Sequence, residues 1–172
     1  KWDLTYLYEN EQAYEKAFNE LPLYVEKLAQ YKGKLSDEKS FVEFILLSDE
    51  VEEKLSRVFQ YAHLKSDLNK KDVTSASALQ KVYFFLNTLV QATSFESPEI
   101  LSIGQEKILS FIDNNPSIAS HRFSMEKLFR MNEHVLDSKA EQLLSYFNAY
   151  SGSCSDLYDN LATADKKVDY VK

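Results

Sequence analysis

The chain has 172 residues, 44% of them hydrophobic and 27% charged, with a net charge of −7. That length builds one ordinary core without staples, and the acidic balance argues against a nucleic-acid partner, because "NKKD" and "DKKVD" set their lysines between acids and no basic patch meets the phosphates. Only 3 Gly and 3 Pro speak against the many tight turns of an all-β fold.

The single cysteine, Cys154, excludes an internal disulfide and fits a reducing compartment. The longest apolar runs, "VYFFL" and "FILL", fall far short of the roughly 18 residues a membrane span needs. No signal peptide opens the chain, so a cytoplasmic location is the expectation.

Residues 1–10, "KWDLTYLYEN", lack a helical period and read as an extended or single-turn arm, anchored by Trp2, Leu4, Tyr6, Leu7 and Tyr8. Tyr14, Phe18, Leu21, Val25 and Leu28 then recur at helical spacing and form one apolar stripe. Pro22 interrupts it and predicts a kink or restart, and Gly33 is the expected stop. A second helix starts at a Ser36 or Asp37 cap and runs to about Asn69 on Phe41, Phe44, Ile45, Val51, Leu55, Val58, Phe59 and Ala62. A third starts near Asp72, and its "VYFFL" is apolar nearly all round, so it is expected to lie between two layers.

Shorter helices follow. Ser97 is the expected cap and Pro98 the expected first helical residue of one. Others are expected over Gln105 to Asp113, Ser120 to Met131, Ser138 to Tyr150 and Ser155 to Thr163. The fold expected is all-α: an antiparallel helical bundle with an extended N-terminal arm. One lobe covers residues 1–172, with long-helix hairpins over 11–95, shorter helices over 96–165 and an extended tail over 166–172.

The chemistry-bearing residues do not assemble into a site. A zinc-peptidase helix carries two histidines one turn apart with a glutamate after the first. Here Leu64, Arg122 and Val135 follow His63, His121 and His134. The Glu-x-x-His of di-iron bundles fails too, since Gln60, Ile118 and Met131 stand three residues before the histidines. His63 reads as a packing residue beside Phe59, and Arg122 and Arg130 as i, i+4 partners of Glu126. A thiol enzyme using Cys154 would lack a base nearby in sequence, so a structural thiol is the expectation. No residue of the chain is assigned a catalytic, cofactor-binding or metal role.

The order of segments says more. "WDLTYLYEN", "YKGKL", "EKLSRVFQYAHLKSDLNKKD", "SFESPEIL", "HRFSMEKLFRMNEHVLDSKAEQLLSYF" and "LYDNLATAD" follow one another from Trp2 to about Asp165. This succession resembles the N-terminal region of oligoendopeptidase F, a thimet-oligopeptidase-like zinc metallopeptidase. His121, Glu126, Leu128, Arg130, His134 and Leu136 match the pattern of a segment that in such proteins is scaffold.

The resemblance implies a parent enzyme that hydrolyses short peptides with zinc, held by a His-Glu-x-x-His helix and a further glutamate in a C-terminal catalytic domain. Those positions are not in this sequence. The chain would then be a non-catalytic lobe that shapes the cleft, its tail leading toward the catalytic domain, its partners that domain and short peptides. The alternative is a free-standing helical interaction module without peptidase activity, able to form a homodimer.

Overall fold

The computed structural model describes residues 3–132, 136–151, 153–159 and 161–162. Trp2, His134 and the tail over 166–172 lie outside them. The described residues are all helix, turn and loop, with no strand.

Three long helices lead: α1 (Glu11–Ala29), α2 (Glu38–Leu68) and α3 (Val73–Ala92). Each starts where a short polar side chain takes an orphan backbone N–H. Asn10 accepts from Ala13, Asp37 from Ser40, and Asp72 from Thr74 and Ser75. Shorter elements follow: α4 (Glu96–Ile103), α5 (Gln105–Asn114), a 3₁₀ turn (Pro116–His121), α6 (Arg122–Arg130), α7 (Ser138–Ser145), α8 (Asn148–Ser151) and α9 (Ser153–Asp159).

The 31-residue α2 is the spine. Its second half joins α1 and α3 in one apolar cluster that includes Tyr14, Leu21, Leu55, Val58, Val82 and Phe85. Its first half joins α4, α5, the 3₁₀ turn and α6 in another, around Phe41, Phe44, Ile100, Ile108, Phe111 and Ile118. Each fully buried side chain of this kind is worth about 1.5–3 kcal/mol. Leu89 of α3 packs against both clusters.

Of the two readings of the N-terminal arm, the single turn holds: Leu7 and Tyr8 donate to the Leu4 carbonyl and close it. Arg57 Nη2 pins that turn by donating to the Leu7 carbonyl at 3.0 Å, and the Tyr8 ring meets Tyr14 and Tyr61 edge-on. Several other expectations are corrected. α1 continues through Pro22 without a restart, and the buried Leu21 and Leu28 on either side hold both halves to one core.

α1 also ends at Ala29 with Gln30 as its cap, before Gly33. Gly33 sits instead in the following loop at φ +78°, a left-handed backbone that favours glycine. α4 begins at Glu96 after Phe95, with no side-chain cap, and not at Pro98. The buried Phe95 anchors the helix start that Ser97 was expected to supply. The helix expected over Ser138 to Tyr150 breaks at Tyr146 and Phe147 into α7 and α8. α3 packs against α7 and α8 as well as against α1 and α2, yet Phe84 of "VYFFL" is 76% exposed while Phe85 is buried.

Candidate functional site

The three-dimensional arrangement keeps the described histidines apart, one on α2 and one at the end of the 3₁₀ turn. His63 tilts against the Phe59 ring at 5.5 Å and holds Asp67 Oδ2 through Nδ1 at 3.2 Å. It is a packing residue with a polar edge. His121 Nε2 lies 2.9 Å from Asp49 Oδ2 and ties the 3₁₀ turn to α2. Arg122 Nε reaches Glu126 at 3.0 Å as spacing predicts, and the same guanidinium also reaches Asp113 of α5. Arg130 forms no ion pair among the described residues.

A zinc ion would need three or four convergent donors. No group of three His, Cys, Asp or Glu side chains among the described residues could hold one. The described residues therefore do not fit the metal that the family resemblance implies. His134 lies outside the described residues. Cys154, expected to be structural, is instead exposed near the start of α9.

The carboxylates near the α4 start carry more weight than the histidines. Glu99 Oε2 accepts the Gly33 N–H at 2.7 Å and its Oε1 accepts the Leu35 N–H at 2.8 Å. One carboxylate thus clamps the α1–α2 loop, at a distance of more than sixty residues in sequence. Glu96, one turn earlier, is largely buried. Burial pushes its carboxyl above the usual range, and the nearby His121 pulls it back down. Sequence reasoning missed both roles. An acid in the first turn of a helix is an ordinary dipole partner, and nothing local betrays a partner so far away.

Around the N-terminal arm, aromatic rings take the place of chemistry. Tyr14 stacks on Tyr61 with ring centroids 4.8 Å apart. Burial, then the Glu11 carboxylate, push the Tyr14 hydroxyl up to about 12. Lys65 pairs with Glu11 across this cluster. A phenol kept neutral in this way stabilises packing and offers no base near neutral pH.

Two apolar surfaces remain open. One is the face of α7–α9, where Leu143, Phe147, Tyr150, Leu157 and Tyr158 are exposed. The other is a groove of about 670 Å³ between α1 and α3, floored by Phe18, Val25 and Phe85 and rimmed by Phe84. No helix among the described residues is long and apolar enough to cross a membrane. Fold and surface together define the class: an all-α helical lobe whose described residues offer open apolar faces and no assembled catalytic centre.

The comparisons with known proteins agree on where such a lobe is found. The family model described as Oligopeptidase F matches residues 99–167. Over 172 residues the chain is 30% identical to Oligopeptidase PepF of Bacillus subtilis, covering 99% of this chain and 26% of that protein. It is 28% identical to an Oligoendopeptidase F homolog of Borreliella burgdorferi, covering 96% of this chain and 28% of that one. The crystal structure of oligoendopeptidase-F from Enterococcus faecium shares the fold with a TM-score of 0.83 at 21% identity, over 94% of this chain and 32% of that chain. The chain matches the N-terminal region of the oligoendopeptidase F family. It spans about a quarter of the length of the curated relatives it matches.

Proposed function

We propose that this chain is the non-catalytic N-terminal helical lobe of a zinc-dependent oligoendopeptidase that hydrolyses short peptides, and that it forms one wall of the substrate cleft. The observation that carries this reading is a likeness that runs through the whole chain yet occupies only 26% and 28% of two relatives. A walled cleft admits short, unfolded peptides and turns away folded proteins by shape. The lobe contributes that shape, and the parent's zinc and its ligands reside in the catalytic domain.

The exposed apolar side chains of α7–α9 suit the packing of such a domain, since exposed apolar surface marks interaction sites where it is contiguous. A cytoplasmic setting belongs to the same reading and is supported by the exposed free thiol of Cys154.

The reading makes two checkable demands. The coding region downstream of Lys172 continues in frame and encodes a His-Glu-x-x-His helix. The purified chain alone hydrolyses no peptide. Zinc-dependent turnover by the purified chain, abolished by a chelator, overturns the proposal. A stop codon directly after Lys172 moves support to a free-standing helical interaction module, for which the same open apolar faces speak.

A further inference from the structure

α9 is amphipathic in the opposite sense from a core helix. Cys154, Leu157 and Tyr158 stand three and four residues apart and so share one face. That face points outward: Leu157 is 62% and Tyr158 70% exposed. Asp156 and Asp159 share the other face, which turns inward. They line a hollow of about 150 Å³ together with His63 and Lys70 from the end of α2 and Tyr83 of α3. No residue of α9 is buried, so the helix gains little from removing apolar surface from water. What seats it on α2 and α3 is the charge across the hollow.

The wall facing α9 holds one fixed ion pair and one group that titrates near neutral pH. Asp67 takes Lys70 Nζ on Oδ1 at 2.7 Å and His63 Nδ1 on Oδ2 at 3.2 Å. Tyr83 stays neutral, since burial and then the Asp156 carboxylate push its hydroxyl up. Lys65, two residues after His63, pairs with Glu11 instead. With a neutral imidazole, Lys70 and Asp67 cancel, and the wall offers the two α9 acids no net charge. With a protonated imidazole, the wall carries one positive charge toward Asp156 and Asp159.

We propose that α9 is a latch sensitive to pH and salt: Asp156 and Asp159 seat it against α2 and α3 while His63 is charged, and it swings free when His63 loses its proton. The charged form is the one that docking favours, so docking is complete in mild acid. It is lost as pH rises through the range in which histidines titrate. One charge across a solvated hollow changes the docking equilibrium about threefold. The side chains of His63 and Lys70 are partly open to solvent, so salt weakens the same attraction. Release uncovers the hollow and lets the Leu157 and Tyr158 face turn. The latch does not rest on the peptidase reading, because it is read on this chain alone and not through turnover.

The chain carries its own reporter. Cys154 is the single cysteine, it is exposed, and it lies on the outer face of α9, away from the hollow. A nitroxide attached there reports the mobility of α9 by electron paramagnetic resonance. The expected result is a restrained spectrum at about pH 5.5 and a ratio of mobile to restrained spins about threefold higher at about pH 8.5. At the lower pH, salt at about 0.5 M raises the same ratio. His63→Gln makes the spectrum independent of pH over this range. Asp156→Asn combined with Asp159→Asn leaves α9 mobile throughout. These side chains are not buried, so the thermal transition of each variant stays near the parent's, which separates release of α9 from unfolding. A parent spectrum that changes with neither pH nor salt overturns the proposal. So does a pH dependence that survives His63→Gln, or a double asparagine variant as restrained in acid as the parent.

Discussion

Glu99 shows how much one side chain can decide here. Its two oxygens satisfy two backbone donors in a loop that has no regular structure of its own. Charge-assisted bonds are worth more than neutral ones, about 1.5–3 kcal/mol each, and water replaces part of the exposed Gly33 bond. Glu99→Ala is therefore expected to lower stability by about 2–4 kcal/mol in urea unfolding. Glu99→Gln, which keeps one acceptor, should cost about half as much.

Glu96 works in the opposite direction. Burial raises its carboxyl, and His121 only partly offsets this. A carboxyl whose pKa is higher in the folded chain favours the fold while protonated. That advantage is lost as pH rises through the folded pKa. Glu96→Gln should therefore melt higher than the parent at pH 7, and the gap should close in acid, below the ordinary glutamate range. Melting curves for both proteins across pH check this; a variant less stable than the parent at pH 7 contradicts it.

At the scale of elements, "VYFFL" is the instructive case. Periodicity placed α3 correctly with its start at Asp72, but composition suggested an apolar helix covered all round. The structure buries Val82 and Phe85 and leaves Phe84 in the open. Phe85→Ala should cost about 3–5 kcal/mol through the cavity it leaves, whereas Phe84→Ala should stay within about 0.5 kcal/mol. Chemical denaturation of the two variants separates them.

The helix starts at Asp37, Asp72 and Asp137 were readable because each cap is a local bond between near neighbours. The α4 start was not. Phe95 anchors it by burial among residues far away in sequence, and no local signal competes with Ser97 and Pro98.

For the whole molecule, α2 matters most. The clusters at its two ends share this one helix, and Val51, fully buried, lies between Phe44 and Val58 on the same stripe. Neither end can unfold without fraying the spine of the other. Unfolding is expected to be a single transition, with calorimetric and van't Hoff enthalpies in agreement. Val51→Ala should lower its midpoint by several degrees without splitting it. Two resolved transitions would show that the ends fold independently.

By itself the sequence determined the all-α class, the three long helices, and the failure of every histidine to meet a metal-site spacing. The order of its segments also pointed to the oligoendopeptidase F family, which likeness over nearly the whole of this chain then supported. These features rest on short-range periodicity, on bonds between near neighbours, or on an order that the chain carries in one dimension. Tertiary structure alone decided the Glu99 clamp, the burial of Glu96 beside His121, the path of α1 through Pro22 and the open groove between α1 and α3. Each depends on which surfaces meet across dozens of residues. Burial of a given side chain is a property of its neighbours in space, and a stripe of apolar residues does not say which of its members will find any.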